Sequence, residues 1–453
     1  ADICDYLATL GVGAVYLSPL LPSVRGSEHG YDVVAFDRID PARGGLDGWT
    51  RLLAAARSRG LGVVVDIVPN HTGIAVPKQN AAWWDVLRLG PASRYAHWFD
   101  IDWTRGRILV PVLGDDFEPA QLIVDGDELC YFEHRFPLAP GTGLSAARPP
   151  ESAADVHDRQ HYELACYRRG DGELNYRRFF AVPTLAGLRV EEADVYAATH
   201  AQIASWMRPG TDPANGDALP VASGSGGIDG LRVDHPDGLA DPFGYLTRLR
   251  ETAGPDAWLT VEKILEPGEE LPDSWPVDGT TGYDALAEVC ALFVDPATES
   301  ELDAGYRALT GDTMSFAEHV AAGKRQVAGT ILAAELNRLV ALVPDVPDAR
   351  EALTELVVAF AVYRSYLPEH ASHLAAAIEN ARRARPDLAD PIGRLATRLA
   401  DPADELCTRF QQLSGAVMAK GVEDTAYYRY TRFVAANEVG GNPERISLPT
   451  ARF

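Results

Sequence analysis

Two short apolar runs, each ending on an acid and separated by one helix's worth of chain, constrain this sequence more than any other feature. In Gly227 to Asp241 (GIDGLRVDHPDGLAD), Ile228, Leu231 and Val233 alternate with other residues, and the run stops at Asp234 before a Pro/Gly turn. That pattern brings a carboxylate to the place where a buried strand surfaces. Trp258 to Glu262 (WLTVE) repeats the design: Leu259 and Val261 deliver Glu262, followed by Lys263 and a Pro267-Gly268 turn. The interval holds one helix, Phe243 to Thr252, so strand, helix and strand form a βαβ unit with parallel strands. A right-handed crossover then sets Asp234 and Glu262 on neighbouring strands at the same C-terminal face. Two carboxyl groups facing each other across a cleft suit glycosidic chemistry.

The same alternation runs through the first part of the chain. Residues 2 to 10 read as a helix, Val12 to Leu17 as a strand stopped by Ser18-Pro19, and Leu21 to Asp32 as a polar, Gly-rich loop. A helix near Asp47 to Ser58 carries Trp49, Leu52, Leu53 and Ala56 at three- and four-residue spacing and ends at Gly60. The buried strand Leu61 to Val68 follows, closed by Pro69-Asn70-His71. This order predicts a (β/α) barrel or a doubly wound sheet.

After His71 the alternation is lost for about 150 residues, too long an excursion for a loop, which predicts an inserted domain. Its Trp83, Trp84, Trp98 and Trp103 are candidates to stack on sugars or to form the insert's own core. From Glu299 to about Arg398 the pattern is helical and Ala-rich, with Leu353, Leu356, Val357 and Phe360 on one buried face. The cluster Tyr363-Arg364-Ser365-Tyr366 interrupts it, and Phe410 to Tyr430 reads as strand-like and Gly-punctuated. The expected parse is therefore 1–71 as the first part of a catalytic barrel, 72–226 as an inserted domain, 227–298 as central barrel strands, 299–405 as a helical insertion, and 406–453 as a return to the barrel and active-site segment.

Composition narrows the partners. A chain of 453 residues with 46% hydrophobic residues buries a large core. Its formal charge of −24, from 65 acidic against 41 basic residues, repels nucleic acid and anionic membrane and favours a neutral partner such as a sugar. Five scattered cysteines without C-x-x-C spacing argue against a disulfide framework and for a reducing, cytoplasmic setting. No signal peptide and no apolar run of membrane-spanning length is found. No D-x-D-x-D loop is present, so neither a metal nor a cofactor is expected.

Five stretches now line up: LSPLLPSVRGSEHGYDV, DIVPNH, GLRVDHPDGL, VEKIL and VMAKGVEDTAYYRY. The first four, in this order, resemble the α-amylase superfamily of glycoside hydrolases. The fifth, with NYRRFF at Asn175 to Phe180 and GTTGYD at Gly279 to Asp284, is similar to the maltooligosyltrehalose synthases within it. The resemblance implies an α/β fold, a TIM (β/α)8 barrel with an inserted domain after the third strand and, in this chain, a helical insertion. It also implies isomerisation of the reducing end of a maltooligosaccharide, turning a terminal α-1,4 linkage into α,α-1,1, with the product passed to a trehalose-releasing hydrolase.

Site roles follow from the same resemblance. Asp234 is expected as nucleophile, Glu262 as general acid/base and Arg232 as the nucleophile's partner. His71 and His235 are expected to bind the sugar in the cleaved subsite, and Tyr31 to be its stacking platform. Beside them, Asn70 and His29 are candidate substrate contacts, although His29 and Asp32 read equally well as turn-shaping residues. Lys420, Glu423 and Asp424 are further substrate-binding candidates because glycines flank them, against the alternative of a solvated surface run.

The residue chemistry agrees. Retention needs two carboxyls roughly 5 Å apart, one attacking the anomeric carbon and the other moving the proton of the leaving and entering oxygen. Arg232, two residues before Asp234 on the same strand face, is expected to hold that carboxylate ionised, while Glu262 must keep its proton in a partly closed site. Asp66, inside an apolar strand, is expected to brace the barrel by hydrogen bonding. Intramolecular transfer requires a pocket that excludes water, and Glu299 to Arg398 with Lys420 to Tyr430 are expected to supply its lid.

The pattern also departs from the superfamily. A third acid, an Asp after His at the end of the seventh strand, is expected, yet no His-Asp pair follows Glu262, and His157-Asp158 precedes Asp234. The sequence begins on the helix that should follow the first strand. It therefore reads as a portion of a longer protein, incomplete at both ends. The run Ala222 to Gly227 (ASGSGG) reads as a flexible lead-in to the nucleophile strand. The alternatives are an α-glucan hydrolase or intermolecular 4-α-glucanotransferase with an open cleft and, from another class, a non-catalytic glucan-binding homologue. The presence of both acids weighs against the last.

Overall fold

Four parallel strands carry the candidate site: β1 (Ala14–Leu17), β2 (Gly62–Ile67), β3 (Gly230–Val233) and β4 (Trp258–Val261), hydrogen-bonded side by side in that order. They belong to a computed structural model that describes residues 1–143, 152–207 and 227–453, so that most of the Ser/Gly run at 222–227 lies outside the described residues. Register sets Arg232 opposite Asp66 on one side and Thr260 on the other, and Val233 opposite Ile67 and Val261. Because side chains alternate along a strand, Asp66, Arg232 and Thr260 share one face with Tyr16 of β1. The opposite face buries Val63, Val65, Leu231, Val233, Leu259 and Val261. Burial on both faces explains why these strands read as near-continuous apolar runs.

Connections between the strands follow from local sequence. Helix Gly45–Arg57 buries Trp49, Leu53 and Ala56. Helix Pro242–Ala253 joins β3 to β4; Asp241 caps it by accepting from the Gly244 amide at 2.9 Å, Pro242 starts it, and Tyr245, Leu246 and Leu249 are buried. The βαβ unit expected around Asp234 and Glu262 is thus present, with parallel pairing.

The strands between β2 and β3 are short and mostly antiparallel, which is why no helix-strand rhythm is visible there. His71–Gly73 pairs with Val182–Gly187, which pairs in turn with Arg178–Phe179. Ile108–Leu113 runs parallel to Tyr162–Cys166, and Leu122–Asp125, Glu128–Tyr131 and His134–Pro137 form a meander. Trp83 packs edge-on against Phe99 and Tyr176 and is fully buried, so it belongs to the core of this segment.

By contact density the chain divides into one unit of Ala1–Glu262 with Trp275–Asp278 and a second of Lys263–Ser274 with Gly279–Phe453. The second is mainly helical: Glu299–Thr310, Phe316–Gly329, Ala333–Ala341, Ala349–Ala359, Ala371–Ala384 and Ala389–Leu399. Leu353, Leu356, Val357 and Phe360 are buried together as their spacing indicates. Tyr363 to Tyr366 lie between two of these helices and are buried.

One expectation is corrected here. Phe410 to Tyr430 is helical, not strand-like: helix Glu405–Val417 continues through wider turns at Met418–Ala426 to Arg429. Phe410, Leu413 and Val417 fill the core at helical spacing. The glycines serve close approach rather than turns, since a Cβ on Gly421 would lie 2.7 Å from the Cα of Lys324, and one on Gly323 would lie 2.3 Å from the Gly421 carbonyl oxygen.

Candidate active site

The sheet's own hydrogen bonds place the two acids. Asp234 donates its amide to the Ile67 carbonyl at 2.9 Å and Glu262 donates to Val233 at 2.8 Å, so each acid sits one residue past its strand end while still held by the neighbouring backbone. Their side chains converge on Arg232. Its Nη1 lies 2.9 Å from both oxygens of Asp66 and 3.0 Å from Asp234 Oδ1, and its Nη2 lies 2.8 Å from Glu262 Oε1. One guanidinium therefore serves three carboxylates.

This sharing changes the expected charge balance. Burial pushes the Asp234 carboxyl well above its ordinary range, the charge of Glu262 pushes it further, and Arg232 opposes both. Asp66 is likewise raised by burial, with Arg232 and the hydroxyls of Tyr16 and Tyr31 pulling the other way. Burial works against the charge of Arg232, and Glu262, Asp66 and Asp234 more than restore it. The sequence expectation has Arg232 hold Asp234 ionised; in the structure that cation is divided among Asp66, Asp234 and Glu262, and it does not offset the burial of Asp66 and Asp234.

Tyr31 and Tyr16 buttress Asp66. The Tyr31 hydroxyl donates to Asp66 Oδ2 at 2.7 Å, and Tyr16 donates to the same oxygen. Burial, and then the Asp66 carboxylate, raise both phenols. The Arg232 guanidinium carbon is 6.0 Å from the Tyr31 ring centre. His29 is exposed, stacks on the Tyr31 ring at 5.9 Å and accepts the Tyr31 amide at 3.0 Å through Nδ1.

His235 follows Asp234 in a left-handed conformation, φ 43° and ψ 60°, that turns its amide to Glu262 Oε2 at 3.1 Å. Its ring meets Phe179 and Phe180 edge-on at 5.1 and 4.7 Å. His71 is 1% exposed, with Nε2 3.1 Å from the Tyr31 carbonyl oxygen, Nδ1 3.3 Å from Asn70 Nδ2, and its ring 4.6 Å from Phe179. Burial pushes its pKa down to about 3, against the pull of that carbonyl, so His71 is neutral at physiological pH. Asn70 is equally buried and its Oδ1 accepts from Arg177.

Lys420, Glu423 and Asp424 lie in the second unit. There Lys420 donates to Asp424 at 2.5 Å and Tyr363 donates to Glu423 Oε1 at 2.6 Å. Residues that sequence reasoning did not select include Tyr16 and Arg177. Tyr16 carries a faint signal, a hydroxyl one residue before the end of an apolar strand. Arg177 lies within NYRRFF, a run noted only for its resemblance.

The family model for the α-amylase catalytic domain matches residues 1–132. A protein of Mycobacterium tuberculosis (strain H37Rv), provisionally named a maltooligosyl trehalose synthase, is 44% identical over all of this chain and 57% of its own length. The maltooligosyltrehalose synthase from Arthrobacter ramosus superposes with a TM-score of 0.92 at 49% identity, again over 100% of this chain and 57% of that one. A Sulfolobus tokodaii protein, described as a hypothetical maltooligosyl trehalose synthase, gives a TM-score of 0.81 at 30% identity, with the same two coverages. The chain thus spans a little over half the length of the relatives it matches. With the parallel strand order, these matches place the fold among α/β, TIM-barrel-type proteins. From its first residue to its last, the chain is similar to proteins named as maltooligosyl trehalose synthases.

Proposed function

We propose that this protein is an intramolecular transglucosylase that converts the reducing-end α-1,4 linkage of a maltooligosaccharide to α,α-1,1, giving a trehalose-ended chain. The observation that supports this most is the placement of Asp234 and Glu262 side by side in register, joined through one Arg232. Asp234 attacks the anomeric carbon while Glu262 gives its proton to the leaving glycosidic oxygen, and a glucosyl ester on Asp234 results. The released glucose turns, its anomeric hydroxyl attacks the anomeric carbon of the bound glycosyl unit, the bond from that carbon to the Asp234 oxygen breaks to free the carboxylate, and Glu262 takes the proton back. Movement of Glu262 towards the glycosidic oxygen breaks its contact with Arg232 and leaves the guanidinium to Asp66 and Asp234, which favours an ionised nucleophile.

In this reading His235 and Tyr31 line the glucose that is cleaved, with His71 and Asn70 behind them. Lys420, Glu423 and Asp424 are further substrate-binding residues in this reading. The parallel strands belong to a closed eight-stranded barrel with one domain inserted after the third strand and a helical insertion. The protein works in the cytoplasm, on a neutral glucan rather than on nucleic acid or membrane, and hands its product to a hydrolase that frees trehalose. Among the described residues no helix is long and apolar enough to cross a membrane. Incubation with maltohexaose tests the reading: reducing ends should disappear without chain shortening. An increase in reducing ends would indicate a hydrolase, and a ladder of longer and shorter chains an intermolecular 4-α-glucanotransferase.

A further inference from the structure

We infer that Arg177, carried by the segment between β2 and β3, is a positioning residue that fixes the tautomer of His71 and, through it, the seat of Tyr31 against Asp66. The argument is one of donors and acceptors. A guanidinium only donates, and Arg177, 8% exposed, sets Nη1 2.5 Å from Asn70 Oδ1 and 3.2 Å from the Gly238 carbonyl, with Nη2 on the Leu188 carbonyl. The amide oxygen of Asn70 must therefore face Arg177, which turns its NH2 towards His71 Nδ1 at 3.3 Å. An NH2 group offers no acceptor, so Nδ1 presents its lone pair and the ring proton sits on Nε2. Nε2 is 3.1 Å from the Tyr31 carbonyl, which only accepts. The Tyr31 carbonyl favours the same tautomer, but the Asn70 end enforces it only while Arg177 holds the amide oxygen.

The relay continues to the acids, because the Tyr31 hydroxyl donates to Asp66 Oδ2, and Asp66 shares Arg232 with Asp234. The surrounding backbone is shaped for it. Gly187 pairs with His71 in register and donates its amide to the Arg177 carbonyl, while Leu188 donates to the Asn70 carbonyl. A Cβ on Gly187 would lie 2.5 Å from the guanidinium carbon of Arg177, so this strand leaves room for that side chain. Without Arg177 the Asn70 amide is free to turn over, and a turned amide would present oxygen to Nδ1 and draw the proton away from Nε2.

Selective 15N labelling of histidine, with long-range 1H–15N correlation and His71 assigned through a His71→Gln variant, reads this tautomer directly. In the unmodified protein and in Arg177→Lys, which keeps a donor, His71 should be neutral with its proton on Nε2. Arg177→Met and Gly187→Ala should show a mixture of tautomers, and Asn70→Asp, whose carboxylate only accepts, should protonate Nδ1. A proton on Nδ1 in the unmodified protein, or an unmixed Nε2–H form in folded Arg177→Met, would overturn the inference. The readout needs no turnover, so it stands or falls separately from the proposed reaction. The kinetic consequence does rest on that reading: Arg177→Met should lower kcat about 10- to 100-fold through misplacement in the site, with KM nearly unchanged, and Arg177→Lys should recover most of the loss.

Discussion

Glu262 donates its main-chain hydrogen bond to Val233 at 2.8 Å, one step beyond the point where Val233 and Val261 face each other. The two acids of the candidate site therefore leave adjacent strands at one level and meet on a single cation. Removing that cation should be costly. Arg232→Met leaves Asp66, Asp234 and Glu262 without the guanidinium they share, and urea unfolding should report a loss of about 3–5 kcal/mol. Adding Asp66→Asn should return part of that stability, since it removes one of the three competing charges; no recovery in the double variant would count against the shared-cation account.

Asp66 depends on its phenols as well as on Arg232. Tyr31→Phe removes a donor from a carboxylate that is 1% exposed, and should destabilise the protein by about 1–3 kcal/mol in the same assay. The same change made in an Asp66→Asn background should cost measurably less, because an amide there no longer depends on that hydroxyl to solvate a charge. Equal costs in the two backgrounds would mean that Tyr31 acts through packing alone.

A histidine outside the site sets part of the pH dependence. His200 is buried, with Nε2 2.9 Å from the Tyr245 hydroxyl, and burial lowers its pKa from 6.5 to about 3. Between those values the unfolded chain binds a proton that the folded one does not, so the stability contributed by neutral His200 is complete above pH 6.5 and is lost as pH falls towards 3. Unfolding free energies measured from pH 7 to 4 should show a shallower slope in His200→Gln, by up to about 1.4 kcal/mol per pH unit. An unchanged slope would mean that His200 titrates alike in both states.

In the second unit Lys263 and Glu269 form an ion pair at 3.0 Å with no exposed side-chain surface, and Lys263 lies 5.2 Å from the Tyr363 ring centre. Either Lys263→Met or Glu269→Gln alone should cost about 3–5 kcal/mol by stranding its partner, while the double variant should cost far less than the sum. Additive single costs in a double-mutant cycle would show that the two side chains are not coupled.

How much of this could be read from the sequence depends on whether the signal is local. Asp234 and Glu262 stand out because an apolar strand, an acid and a Pro/Gly turn are consecutive, and the pairing of their strands follows from the single helix between them. Tyr16 does not stand out, since an aromatic residue in a strand is ordinary, and only the offset between β1 and β2 brings its hydroxyl to Asp66. Arg177 is hidden for the same reason: its partners Asn70 and Gly238 are distant in sequence. The raised Asp234 reflects geometry too, since Arg232 could be identified but its division among three acids could not. The part played by Gly421 is not visible locally, because the helix it touches, at Gly323, lies far along the chain.

The central claim, that Asp234 takes the glucosyl unit while Glu262 handles the proton, is tested most directly by trapping the ester. A Glu262→Gln variant should be incubated with an activated glucosyl fluoride, digested, and its peptides examined by mass spectrometry. The account predicts one glucosyl adduct, on the peptide containing Asp234 and absent when Asp234→Asn is introduced; an adduct on Asp66 or another residue, or turnover that persists in Asp234→Asn, would contradict it.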